Sequence, residues 1–195
     1  MRRGTMRLAW GGIAASLVFA LAMTILLLAL ARANDAAAPI NTTPTRLVIP
    51  SITLDNSIAP VGIEPIEING QMYGIWQVRD DEIGWHSLSA DLGYAGNTVL
   101  SGHSDIKARV FRDLEQVRIG DEIVAFAGEH SYHYMVTHKL LVQEKGVSLE
   151  TRIKNAQWIA PTEDERLTLV TCAQPGATHR LIVIARPIEL LGLSR

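Results

Sequence analysis

The sequence predicts a mainly β protein: a closed eight-stranded β-barrel with short helices, preceded by one N-terminal transmembrane helix. Three observations support this. Leu8 to Ala31 contains no charged residue. From Arg46 onward, short β-rich runs recur between turn signals, and helical patterning is confined to one brief stretch. Several runs alternate apolar with polar residues, as half-buried antiparallel strands do. Closing such a sheet into a barrel removes its exposed edges.

Taken in order, residues 1–7 carry Arg2, Arg3 and Arg7. As a helix, residues 8–31 would measure roughly 36 Å, enough to cross a hydrocarbon core of about 30 Å with some tilt. The basic flank places residues 1–7 in the cytoplasm and everything after the span outside the plasma membrane, a single-pass arrangement. Ala29-Leu30-Ala31 also has the small residues of a signal-peptide cleavage site. The apolar run exceeds the roughly 7–15 residues of a signal core, which favours an uncleaved anchor. Either way the domain is exported. Residues 32–45, rich in Ala, Pro, Asn and Thr, read as a flexible linker. Asn41-Thr42-Thr43 matches a glycosylation sequon, a short pattern of little weight.

Residues 46–190 form the expected catalytic domain and 191–195 a tail. The chain has 195 residues, 18 of them Lys or Arg and 20 Asp or Glu. Four of the basic residues precede Asn34 and no acidic residue does, so the exported part has 14 basic and 20 acidic residues, a net charge of −6. It has no basic stripe for nucleic acid. One cysteine, Cys172, excludes an intrachain disulfide. In an exported domain a lone thiol is either a buried apolar group or a reactive one.

The β-rich runs are Arg46–Pro50, Ser57–Ile63, Met72–Val78, Asn97–His103, Glu122–Phe126, Ser131–Val142, Leu167–Cys172 and Arg180–Pro187. Within Arg109–Val117, the residues Val110, Phe111, Leu114 and Val117 share one helical face and predict a short helix. From Gln143 to Glu165 the chain is polar and weakly patterned, a long connection suited to substrate selection.

The last two runs flank a turn containing Pro175 and Gly176, with Cys172 ending one and Arg180 opening the other. Paired as a hairpin, they would set a permanent positive charge beside a potential thiolate. His103 closes an earlier strand. Cysteine, histidine and arginine at strand ends are the parts of a cysteine acyl-transfer site. Thiolate and imidazolium favour one another when close. In this reading Cys172 attacks a carbonyl, His103 handles the proton, and Arg180 steadies the oxyanion or the substrate backbone. Thr171 is a second candidate for substrate binding.

Other residues attract simpler readings. His86, His130, His133, His138 and His179 read as surface or strand residues. His133 and His138 differ in strand parity and have no cysteine or carboxylate cluster beside them, so no metal site is expected. Asp105 would share a face with His103 only if the strand ran that far. Trp76, Trp85 and Trp158 read as core or groove lining.

These residues also carry a family likeness. Thr168-Leu-Val-Thr-Cys172 resembles the Thr-Leu-x-Thr-Cys signature of the sortases, the membrane-anchored cysteine transpeptidases of bacterial cell surfaces. Arg180 falls where that family has its essential arginine. Gly96–His103 resembles the approach to its catalytic histidine, and Phe111, Leu114 and Gly120-Asp121 resemble the stretch beyond. The likeness spans about residues 45 to 187. It implies an eight-stranded sortase barrel and cleavage of a C-terminal sorting signal of secreted proteins, commonly Leu-Pro-x-Thr-Gly (LPxTG). A thioacyl enzyme would then pass the acyl group to an amine on a cell-wall precursor or a pilin lysine. No long N-terminal appendage resembles a lid, which favours an open site and one of the non-housekeeping classes. Some sortases are stimulated by calcium on loop carboxylates. Glu144, Glu163, Asp164 and Glu165 are available for it, which leaves calcium open with no other cofactor expected.

Three other readings compete. A secreted cysteine peptidase would pass the same intermediate to water. An L,D-transpeptidase is disfavoured because its cysteine follows a Ser-x-Gly-type turn. A non-catalytic anchored β-barrel would need the Cys, His and Arg coincidence to be accidental.

Overall fold

The computed structural model describes residues 41–68, 70–173 and 178–192. The expected anchor, its cytoplasmic flank, most of the linker, and the turn residues Pro175 and Gly176 lie outside the described residues, as does the end of the tail.

Ten strands follow one another: β1 Arg46–Ile49, β2 Leu54–Val61, β3 Ile63–Ile68, β4 Gln71–Trp76, β5 Ile83–His86, β6 Asn97–Ser101, β7 Glu122–Ala127, β8 His130–Gln143, β9 Arg166–Ala173 and β10 His179–Pro187. Eight close a barrel in the order β1-β2-β5-β6-β9-β10-β8-β7, and β3 pairs with β4 as a separate hairpin. The barrel therefore has the expected number of strands but not the expected membership. Met72–Val78, read as a barrel strand, supplies β4 of the outlying hairpin. Its place is taken by Ile83-Gly84-Trp85-His86, which sequence reading passed over. All four of those residues are buried, so the segment has no alternation to reveal it.

Neighbouring strands are antiparallel except β2–β5 and β6–β9. A parallel pair needs a long crossover. The β2-to-β5 crossover carries the β3–β4 hairpin. The β6-to-β9 crossover carries β7, β8 and a helix, α1, spanning Leu149–Asn155. That helix was not foreseen within the Gln143–Glu165 connection. None of its residues is buried, so no apolar stripe marks it. Ser148 caps it, accepting a hydrogen bond from Thr151 N at 3.2 Å.

The expected helix at Arg109–Val117 is instead a run of turns ending in a 3₁₀ turn at Leu114–Gln116. Arg109, where the helix was to begin, has a positive φ of 53°, outside the right-handed helical region. The burial inferred from the pattern is nonetheless met. Phe111, Leu114 and Val117 are fully buried and Val110 nearly so. They join Leu47, Ile49, Leu100, Ile123, Leu167, Leu169 and Val183 in one core. Burying each large side chain contributes about 1.5–3 kcal/mol.

Candidate active site

Strand parity determines which face of the barrel carries the chemistry. On β9, Leu167, Leu169 and Ala173 belong to the core; on β10, Leu181, Val183 and Ala185 do. The alternating residues Val170 and Cys172, with Arg180 and Ile182, therefore lie on the opposite face and line one cleft. Cys172 pairs directly with Arg180 across the two strands, and Val170 with Ile182. Directly paired side chains on one face lie close together. Arg180 Nη1 donates to Cys172 Sγ at 2.5 Å. The guanidinium stands beside the sulfur, as the hairpin reading of this segment requires.

His103 reaches the same cleft from β6. That strand runs parallel to β9, with Leu100 opposite Leu169 and Ser101 opposite Val170. The alignment continues past the strand end. Gly102 N donates to Val170 O at 3.2 Å, Thr171 Oγ1 donates to Gly102 O at 2.7 Å, and Ser104 Oγ donates to Cys172 O at 2.6 Å. These three bonds clamp residues 102–104 onto the segment bearing the cysteine, and His103 is the residue between them. Gly102 is needed there for space. A Cβ on it would lie 2.6 Å from Val110 Cγ2 and 3.0 Å from Phe111 Cδ2. The buried loop that seats Phe111 thus presses directly on the backbone presenting His103.

Thr171, expected to bind substrate, also borders the cleft, but it is buried with its hydroxyl directed to Gly102 O. Its side chain acts on the position of the histidine segment. Asp105 has no strand parity with His103, because β6 ends at Ser101.

The cleft, with a volume of about 560 Å³, is walled by the two crossovers. Ile66, Ile75, Trp76 and Val78 come from the β3–β4 side, and Glu144, Arg152, Ala156 and Ile159 from the α1 side. The long connection chosen for substrate selection does border the site. Trp76 is groove lining as read, Trp85 is buried in the core, and Trp158 offers its carbonyl to Asn97 and Arg166.

His86 is where sequence reading fell short. It is a strand residue, but one that lines the cleft. It is 4% exposed, stacked on Trp76 with ring centroids 4.1 Å apart, and its Nε2 lies 3.1 Å from Ser101 Oγ. Burial pushes its pKa down to about 4, so the ring is neutral at pH 7. The signal was its place directly after Trp85 in an unbroken buried strand, visible only once β5 is recognised. Apart from His86 and His103, no histidine among the described residues lines the cleft. His133 meets Glu122 and Ser131, His138 meets Thr137, and His179 meets Thr178.

Three of the four carboxylates considered for calcium already have partners. Glu144 pairs with Arg152, Asp164 with Arg186, and Glu165 accepts from Tyr134 and Gly93.

The barrel thus brings Cys172, Arg180 and His103, the parts of a cysteine acyl-transfer site, to one cleft. The chain belongs to the sortase family, whose domain model matches residues 47–188. Sortase A of Listeria monocytogenes serovar 1/2a is 32% identical over 95 residues, 48% of this chain but only 39% of that relative. Among solved structures, a Clostridium perfringens sortase D5 transpeptidase is 22% identical, with 75% of this chain and 79% of the other covered and a TM-score of 0.55. A lid mutant of Corynebacterium diphtheriae sortase A is 21% identical over 79% and 74%, also at 0.55. Sortase C1 of Streptococcus agalactiae is 22% identical over 79% and 72%, again at 0.55. The likeness to proteins named A, C and D is thus one of fold, equal across the three.

Proposed function

We propose that this chain is a membrane-anchored transpeptidase that cleaves an LPxTG-like sorting signal near the C-terminus of secreted proteins and joins the new end to an amine. The observation that carries this reading is the Arg180–Cys172 pair on the open face of the barrel, with His103 bordering the same cleft. The Cys172 thiolate attacks the scissile carbonyl, forming the C–S bond. Arg180 donates to the oxygen as it gains charge. The C–N bond breaks, and His103 protonates the departing amine. An incoming amine then attacks the thioester, gives its proton to His103 and releases the thiolate. The acceptor is an amine on a cell-wall precursor or a pilin lysine, and the chain acts from the outer face of the plasma membrane. Because Glu144, Asp164 and Glu165 already have protein partners, we propose that it needs no calcium; added EDTA should leave the rate unchanged.

The test is mass spectrometry of the exported domain with a Leu-Pro-x-Thr-Gly peptide and excess oligoglycine. A ligated product, lost with Cys172→Ala, is expected. Cleavage without ligation at any amine concentration would overturn transfer in favour of hydrolysis. No processing of this peptide or of a randomised pentapeptide library would overturn the reading as a whole.

A further inference from the structure

We propose that His86 is a substrate-binding residue, its Nδ1 edge hydrogen-bonding the main chain of the peptide in the cleft. This rests on the peptide-transfer reading above. His86 lines the cleft but is almost wholly enclosed, so little of it except an edge meets the space inside. Two contacts fix the ring. Its face lies on Trp76, with planes 16° apart, and its Nε2 meets Ser101 Oγ. Nδ1 has no partner among the described residues. The fully enclosed side-chain atoms left without a partner are Asp91 Oδ1 and Arg166 Nε, and Nδ1 of His86 is not one of them. His86 is itself one of the residues lining the cleft, so an edge left without a protein partner is available to what the cleft holds.

A polar atom held rigidly in an apolar wall, beside Ile75, Trp76 and Val78, is costly unless something pairs with it. Burial keeps the ring uncharged, so it suits an amide better than an ion. Ser101 Oγ can either donate to Nε2 or accept from it, leaving Nδ1 a donor or an acceptor respectively. An extended peptide main chain presents both complements. The contact would fix the peptide from the β3–β4 side while Arg180 and Cys172 engage the scissile carbonyl.

Three variants separate this from a purely structural role. His86→Phe keeps the stack and loses both nitrogens. His86→Gln places its amide near the Nε2 position and can keep Ser101, whereas His86→Asn places its amide near Nδ1 and can keep the cleft contact. The substrate is the pentapeptide that the wild type prefers from a randomised library. KM is expected to rise about tenfold in the Phe and Gln variants with kcat within twofold, and to recover largely in Asn. Alkylation of Cys172 by iodoacetamide should be equal in all four proteins, which shows the nucleophile intact. An unchanged KM in His86→Gln, with loss in His86→Asn, would overturn the proposal and leave His86 as a support for Ser101. An unchanged KM in His86→Phe would overturn it as well. If alkylation falls as KM rises, the effect runs through the reactive centre and the substrate contact is wrong. If the wild type processes no library member, the peptide-transfer reading fails first and this proposal with it.

Discussion

The strands that carry the chemistry and the crossovers that wall the cleft are built on opposite terms. Every residue of β6 is buried, and β9 and β10 are buried nearly throughout. Each lies between two hydrogen-bonded neighbours. Across the cleft, the β3–β4 hairpin and α1 leave Ile66, Ile75, Leu149 and Ile153 exposed, and α1 buries no residue at all. A reacting thiol needs its partners fixed to within a fraction of an ångström, and strands inside a closed sheet supply that. The proposed peptide site needs apolar surface on offer, and Ile66 and Ile75 of the β3–β4 crossover supply it within the cleft. The comparison implies that substitutions on β6, β9 and β10 should act on rate, or on rate and stability together, whereas those on the wall should act locally.

The sharpest break is Arg180→Ala. If the guanidinium steadies the oxyanion, the rate should fall about 10²–10³-fold, equivalent to about 3–4 kcal/mol. The thermal midpoint should stay within a few degrees, because Arg180 is on the cleft face and outside the core. Single-turnover acylation alongside a melting curve checks both. A large loss of stability with little loss of rate would make Arg180 a structural residue.

His86 gives the strand side a pH signature. In the folded protein its pKa is lowered from 6.5 to about 4, so only the unfolded chain readily takes up a proton between those values. Stability from this source is complete above about pH 6.5 and is lost as pH falls toward 4, by about 2–3 kcal/mol between pH 7 and 4.5. Urea midpoints at the two pH values would measure it. His86→Gln should show a shallower acid loss than the wild type; parallel curves would mean that the folded ring protonates freely.

Gly102→Ala tests whether the core loop positions the histidine. The new methyl meets Val110 and Phe111. Overpacking of this kind costs about 1–3 kcal/mol. Rate and melting temperature should therefore fall together, and adding Val110→Ala should restore part of both. A drop in stability with the rate intact would separate the loop at Phe111 from the presentation of His103.

Legibility followed the same division. Cys172, Arg180 and His103 could be found because their strands are long or carry a distinctive motif, and antiparallel pairing follows from a short connection. The barrel's strand number came out right because Met72–Val78, which lies in the outlying hairpin, was counted where Ile83–His86 belongs. What could not be read was the part with no period. Ile83–His86 is buried on both faces and so looks like any short apolar segment. Leu149–Asn155 is buried on neither and so looks like loop. His86 was missed for the first reason. Thr171, a second candidate for substrate binding, has its hydroxyl on Gly102 O, because alternation in a strand sends the side chains of neighbours to opposite faces.

The smallest expected effect is on the wall itself. Ser148 is the side-chain cap of α1, and replacing such a cap with alanine typically costs about 1 kcal/mol. Because α1 contributes no residue to the core, that loss should be confined to the helix. The amides of Leu149–Asn155 should exchange about fivefold faster in Ser148→Ala, while those of β6 and β9 keep their protection and the melting temperature stays unchanged. Arg152, which leaves α1 to pair with Glu144 at 2.7 Å, would be held less firmly, so KM for the peptide should rise slightly with kcat unaltered. A melting temperature lowered by several degrees would mean that α1 unfolds with the barrel, and the distinction between a fixed reactive face and a separately held wall would be lost on that side of the cleft.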